Sequence, residues 1–330
     1  MKKLATKCLF SSLALSIALA VGSPFAMANQ PTATPSATEL AAARYDSAND
    51  IFHPVYAKQG MVASEQGLAT QVGADILRQG GNAVDAAVAV GFALAVVLPN
   101  AGNIGGGGFM VLHDAKSGGN YSVDFRETAP LKADRDMYLD KDGNVIDGRS
   151  LYTHFAVGVP GTVAGMEYAL KKWGTMSLAQ VIAPAIKLAE KGFVVGPMLA
   201  STLKEEKDNL GKWPQSKAIF FKNGEPLKEG DLLVQKDLAN SLKLIAKQGA
   251  KAFYEGDIAK KIVAEMEKNQ GLITLEDLKG YKVVERKPIE GEYRGYKVVT
   301  MPPPSSGGVH LVQILNILER YPMADYGVNS

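Results

Sequence analysis

Arg126 is the residue with the clearest chemical potential, standing between two carboxylates in Val123-Asp124-Phe125-Arg126-Glu127-Thr128. Strand alternation would send Val123 and Phe125 to one face and Asp124 and Arg126 to the other. A guanidinium at a strand end offers a planar fork of N–H donors, suited to a two-bonded grip on a substrate carboxylate. The competing reading is an ion pair among Asp124, Arg126 and Glu127, and spacing alone favours it because such pairs are common on surfaces. A second unusual stretch is Asn103-Ile104-Gly105-Gly106-Gly107-Gly108-Phe109. Its glycines permit close approach of another backbone or of a ligand. A nucleotide-phosphate loop would need a strand before it and a helix after it; here the order is helix, glycines, strand, with no following Lys-Ser/Thr. Tight backbone packing is therefore the expected role.

Ser305-Ser306-Gly307-Gly308 places hydroxyls ahead of a helix, which suits either an anion or oxyanion site or simple capping. The four histidines, His53, His113, His154 and His310, show no H-x-x-x-H pair and read as surface or packing residues, so no metal site is expected. No Ser-His-Asp order, zinc-ligand spacing or cofactor loop is found. The residues themselves imply an exported α/β protein with a glycine-rich core turn and a candidate carboxylate-binding arginine, and no more.

The elements that must position these residues follow from periodicity. Gly60-Met61-Val62-Ala63-Ser64 reads as a short strand. Leu68, Val72, Ile76 and Leu77 recur at helical spacing over 65–79, and Gly80-Gly81 stops that helix. Asn82 caps a second helix over 83–98 that is apolar on every side and so belongs in the core, with Asp85 in its first turn facing free N–H groups. Strands over 109–113 and 121–125 form a hairpin through Ser117-Gly118-Gly119-Asn120. Residues 160–210 and 236–268 are mainly helical, with Ser177, Asp237 and Asp257 as expected caps. Strands are expected over 281–285 and 295–301, and a helix over 309–320.

The first 28 residues carry three lysines and no acid, then an apolar run from Cys8 to Val21 and the sequence Ala26-Met27-Ala28. This is the grammar of a secretory signal peptide cut after Ala28. The run is short of the roughly 18 apolar residues that a membrane span needs, and no later stretch approaches that length. The product is expected in the periplasm or outside the cell, without a stable membrane anchor. Cys8 is the only cysteine, so the processed chain would have no disulfide, zinc–thiolate site or cysteine nucleophile. Residues 29–50, rich in Pro, Thr, Ser and Ala, read as a flexible lead, and 51–330 as the folded region. The formal charge of +2 depends on the leader: without it, 33 basic residues face 34 acidic ones. Such a balance gives no electrostatic basis for binding nucleic acid. At 330 residues and 46% hydrophobic content the chain is long enough for a large α/β domain.

Six stretches occur in order: Gly60–Ser64, Gly80–Ala89, Gly102–Met110, Asp124–Glu127, Gly158–Gly165 and Met301–Gly308. Together they resemble bacterial γ-glutamyltranspeptidase (glutathione hydrolase), over about 52–326. The resemblance implies an α+β, four-layer αββα fold of the N-terminal-nucleophile hydrolase type, here incomplete. It implies a precursor that cuts itself into large and small subunits, the new N-terminal threonine of the small subunit being the nucleophile, activated by its own α-amine. The reaction implied is γ-glutamyl transfer and hydrolysis of glutathione and other γ-glutamyl compounds. It runs through a γ-glutamyl-enzyme that water, an acceptor amino acid or a peptide resolves, with no metal or organic cofactor. Arg126 matches the arginine that binds the α-carboxylate of the γ-glutamyl group. On the same resemblance the sequence corresponds to the large-subunit side and ends before the processing site, so no catalytic residue lies in this chain and it is expected to be inactive alone. The alternative is a catalytically inactive, truncated or binding-only exported protein.

Overall fold

The helix that is apolar on every side sits at the centre of the fold. In the computed structural model of the chain, which describes residues 56–326, this helix (α2, Ala83–Val97) packs against three others: α1 (Gly67–Arg78), α3 (Thr162–Trp173) and α4 (Leu178–Lys191). α5 (Lys236–Gln248) covers α4 from the far side. Val88, Phe92 and Val96 of α2 are fully enclosed. Each such side chain contributes about 1.5–3 kcal/mol relative to exposure, so three in one helix make it the anchor of the layer. The signal peptide, the cleavage after Ala28, the lead at 29–50 and the start of the folded region near 52–55 lie outside the described residues.

Local chemistry sets the ends of the first helices as expected. Gln66 caps α1 through Oε1, which accepts from Leu68 N, and Gly80 ends it at φ +91 while Gly81 N donates to Ile76 O at 3.0 Å. Asn82 caps α2, accepting from the Val84 and Asp85 N–H groups, and Asp85 returns the bond to Asn82 N. Asp85 does more than face free N–H groups. Wholly buried, its carboxylate also accepts from Thr175 N (2.9 Å), Thr175 Oγ1 (2.6 Å) and Met176 N (3.0 Å), tying α2 to the turn before α4. Ser177 caps α4. Asp237 and Asp257 do not cap; each lies inside the first turn of its helix, where its charge meets the positive end of the dipole.

The strands are short and antiparallel. β1 (Phe109–Asp114) and β2 (Gly119–Asp124) pair from Phe109 opposite Asp124 to Asp114 opposite Gly119. The turn covers 115–118, two residues earlier than the glycine pair suggests, because the Asp114 carboxylate accepts from Lys116 N and Ser117 N while Gly118 takes φ +65. β3 (Val284–Arg286) adds to β2 as the third strand. A separate hairpin joins β4 (Ile289–Tyr293) to β5 (Tyr296–Thr300) through Arg294-Gly295, both at positive φ. β4 is not evident in the sequence, since Gly291 interrupts its alternation. That glycine lets Val312 of α6 (Gly307–Leu318) lie against the hairpin. Gly60–Ser64 forms no strand. Val62 instead packs at Gly73 of α1, and the segment has no ladder partner among the described residues.

The fold class is mixed α+β, as expected. Among the described residues, no helix is long and apolar enough to cross a membrane.

Candidate functional site

Three of the motifs converge. The β1–β2 ladder continues one pair beyond the strands: Gly108 N donates to Phe125 O (3.2 Å) and Phe125 N to Gly108 O (3.0 Å). Gly106 O in turn accepts from Gly161 N (2.7 Å) and Thr162 N (3.0 Å), and Thr162 Oγ1 donates to Asn103 Oδ1 (3.2 Å). Thr128 and Val159 exchange backbone bonds in the same layer. The glycine run is thus the backbone spacer expected from its place between helix and strand. A Cβ on Gly107 would fall 2.5 Å from Phe125 O, 2.8 Å from Glu127 N and 2.9 Å from Arg126 Cα, all backbone atoms that cannot rotate away. Gly107→Ala is therefore expected to cost about 1–3 kcal/mol, the usual range for overpacking, and to displace Arg126. Chemical denaturation of the variant checks this; unchanged stability would mean the strand end shifts freely.

These segments border a cleft of about 510 Å³ whose lining includes Gly105, Arg126, Glu127, Tyr138, Phe155 and Gly158. The simple alternation at the strand end fails at Asp124. Val123 and Phe125 are buried, but so is Asp124, while Arg126 and Glu127 are exposed. Asp124 does not pair with the Arg126 side chain: its Oδ2 takes Nε of Arg286 at 2.8 Å, and its Oδ1 accepts the Arg126 backbone N–H at 3.0 Å. The ion pair expected among Asp124, Arg126 and Glu127 is not formed. The reason is cross-strand placement: β3 sets Arg286 opposite Ser122, diagonally across from Asp124, where its Nε reaches the buried carboxylate. The Arg126 guanidinium makes no ion pair among the described residues and stands at the cleft with its donors available.

The carbonyl of Arg126 is held as well, accepting from the Tyr281 hydroxyl at 2.9 Å. Burial, then the nearby Asp124 and Glu127 carboxylates, push that hydroxyl far above its ordinary range, so it remains a protonated donor. Tyr281 stands just after the helix Leu275–Gly280 rather than in a strand. Neither Tyr281 nor Arg286 carries a local sequence signal for this role, since each meets Arg126 or Asp124 only through the fold.

The remaining candidates stay apart from the cleft. Ser305 Oγ accepts from Gly307 N at 3.3 Å, a capping contact, whereas Ser306 holds the cap position without a side-chain bond. Neither serine is among the residues lining the cleft. His113 bonds to Asn120, and His154 packs edge-on to Trp213 beside Glu265, in keeping with packing roles. His53 lies outside the described residues. Among the described residues no cluster of three or more His, Cys, Asp or Glu is arranged for a metal ion.

The family model described as Gamma-glutamyltranspeptidase matches residues 69–330. The glutathione hydrolase proenzyme of Escherichia coli (strain K12) is 57% identical over 314 residues, covering 95% of this chain and 53% of that protein. The crystal structure of Helicobacter pylori γ-glutamyltranspeptidase matches at 53% identity and a TM-score of 0.82, covering 84% of this chain and 80% of that one. The γ-glutamyltranspeptidase from Pseudomonas nitroreducens, complexed with L-DON, matches at 40% identity and a TM-score of 0.78, covering 83% and 81%. The chain spans about half the length of the curated relatives it matches.

Proposed function

Since this chain belongs to the γ-glutamyltranspeptidase family, we propose that Arg126 grips the α-carboxylate of γ-glutamyl substrates in a precursor that transfers and hydrolyses γ-glutamyl groups. The observation that carries this reading is the division of partners at the strand end. Asp124 is neutralised by Arg286, which leaves the Arg126 guanidinium unpaired beside the cleft. A carboxylate arriving there would replace water on a fork of donors rather than compete with a protein acid.

In this reading residues 51–330 are the large-subunit region. The nucleophilic threonine would come from the half of the relatives that this chain does not cover, the small subunit being its partner; the name proenzyme carried by those relatives supports such processing. The threonine oxygen would attack the γ-carbonyl carbon of glutathione while its α-amine takes the proton. The α-ammonium then passes that proton to the amide nitrogen as the C–N bond breaks, releasing the leaving peptide as its amine and leaving a γ-glutamyl ester on the threonine. Water, an amino acid or a peptide would open that ester. Residues 1–330 alone would lack the attacking oxygen and so be inactive. The test is turnover of a γ-glutamyl anilide by the complete precursor and by residues 1–330 alone. Activity in the first and none in the second is expected; a complete precursor inert towards γ-glutamyl compounds overturns the reading.

Two further expectations belong to it. Leu311, Ile314 and Ile317 of α6 are exposed apolar side chains, which the small subunit would cover. Residues 1–330 alone should therefore melt broadly and bind a hydrophobic dye; a sharp cooperative melt would count against this. Export to the periplasm or beyond would leave a mature chain beginning at Asn29, which N-terminal sequencing of the product checks.

A further inference from the structure

We infer that Tyr281 is a positioning residue for Arg126: its hydroxyl fixes the peptide that follows the arginine and so aims the guanidinium into the cleft. This rests on the reading of Arg126 as the substrate-carboxylate anchor. The backbone of Arg126 is clamped at both ends. Its N–H donates to the buried Asp124 carboxylate, and its C=O accepts from Tyr281. With the amide and carbonyl both fixed, the Cα–Cβ direction of Arg126 is set, and only its side-chain torsions remain free.

Tyr281 is itself braced. Its ring stacks on Tyr254 with centroids 5.7 Å apart and planes 11° from parallel. The Tyr254 hydroxyl donates to Pro160 O (2.9 Å) and accepts from Ala164 N (3.3 Å), holding the turn that leads into α3. The two stacked rings therefore hold the two backbone segments that meet at the cleft, one hydroxyl to each. A Cβ on Gly161 would overlap both the Tyr281 hydroxyl and Phe125 O, so that position must stay bare for the tyrosine to reach Arg126. Removing only the hydroxyl keeps ring, stack and burial, and frees the peptide after Arg126.

The experiment is a double-mutant cycle in the complete precursor, with Tyr281→Phe and Arg126→Ala made singly and together, and kcat and KM measured on a γ-glutamyl anilide. Tyr281→Phe should raise KM about 3- to 10-fold, the range set by one net hydrogen bond. The change in kcat should stay within about twofold, and the inhibition constant of L-glutamate should rise in step with KM, since no other step is touched. In the Arg126→Ala background Tyr281→Phe should change KM no further, because a residue acting through the guanidinium has nothing left to position. An unchanged KM in the parent, or the same fold-increase in both backgrounds, overturns the inference and leaves the anchor reading standing. If instead Arg126→Ala by itself leaves KM unchanged, the anchor reading fails first.

Discussion

Arg126→Ala in the complete precursor should raise KM for γ-glutamyl substrates by roughly 10- to 150-fold, with a much smaller change in kcat. The magnitude follows from losing a hydrogen-bonded charge pair, about 1.5–3 kcal/mol. The direction follows from the structure: the guanidinium has no ion-pair partner among the described residues, so truncation strands no buried acid of the protein. The loss should fall on binding rather than folding, and thermal stability should hardly change. Arg126→Lys should lie between the two, since an ammonium restores the charge without the planar fork. A parental KM in Arg126→Ala would remove the arginine from the substrate site.

The largest effect on stability is expected at Asp85. Asp85→Ala would leave Thr175 N, Thr175 Oγ1, Met176 N and Asn82 N without their shared acceptor, all at a position closed to solvent. Leaving several buried donors unsatisfied, at about 1–3 kcal/mol each, costs about 3–5 kcal/mol in all, or a fall of about 5–8 °C in the melting midpoint for a protein of this size. The pH dependence follows. Burial pushes the Asp85 carboxyl up, but the bonds from Thr175, Met176 and Asn82 outweigh it and hold the group below its ordinary value of 3.8. A depressed carboxyl stabilises the fold above that value and loses its contribution as pH falls through and below it. Asp277 behaves alike: burial raises it, while the Thr274 hydroxyl, Leu131 N and Thr274 N lower it by more. The stability gap between the parent and Asp85→Ala should thus be full at neutral pH and narrow below about pH 4, as denaturant midpoints across that range would show. A gap constant down to pH 3 would mean that the carboxylate charge plays no part.

The two effects separate what local sequence encodes from what it does not. The Gly80 stop, the Asn82 cap, the all-apolar α2 and the strand leading to Arg126 are written in windows of a few residues. Each depends on a neighbour three or four positions away or on a side-chain period. The six ordered motifs, read together, were enough to place the chain in its family. Where a local window holds too little, its pattern misleads. Gly60–Ser64 looks like a strand but finds no partner, β4 is hidden by Gly291, and Asp237 and Asp257 sit one or two positions past their caps.

Residue types alone therefore determined that an arginine closes the strand, that a glycine run lies beside it, and that a buried helix carries a carboxylate at its start. Only the tertiary structure decided whom each would meet. Asp124 takes Arg286 and leaves Arg126 free, Tyr281 claims the Arg126 carbonyl, and Asp85 finds Thr175 and Met176. Those partners lie some 90 to 160 positions apart in the chain. Proximity of that kind arises from the packing of α2, α3 and the three-stranded sheet, and no spacing in the sequence records it.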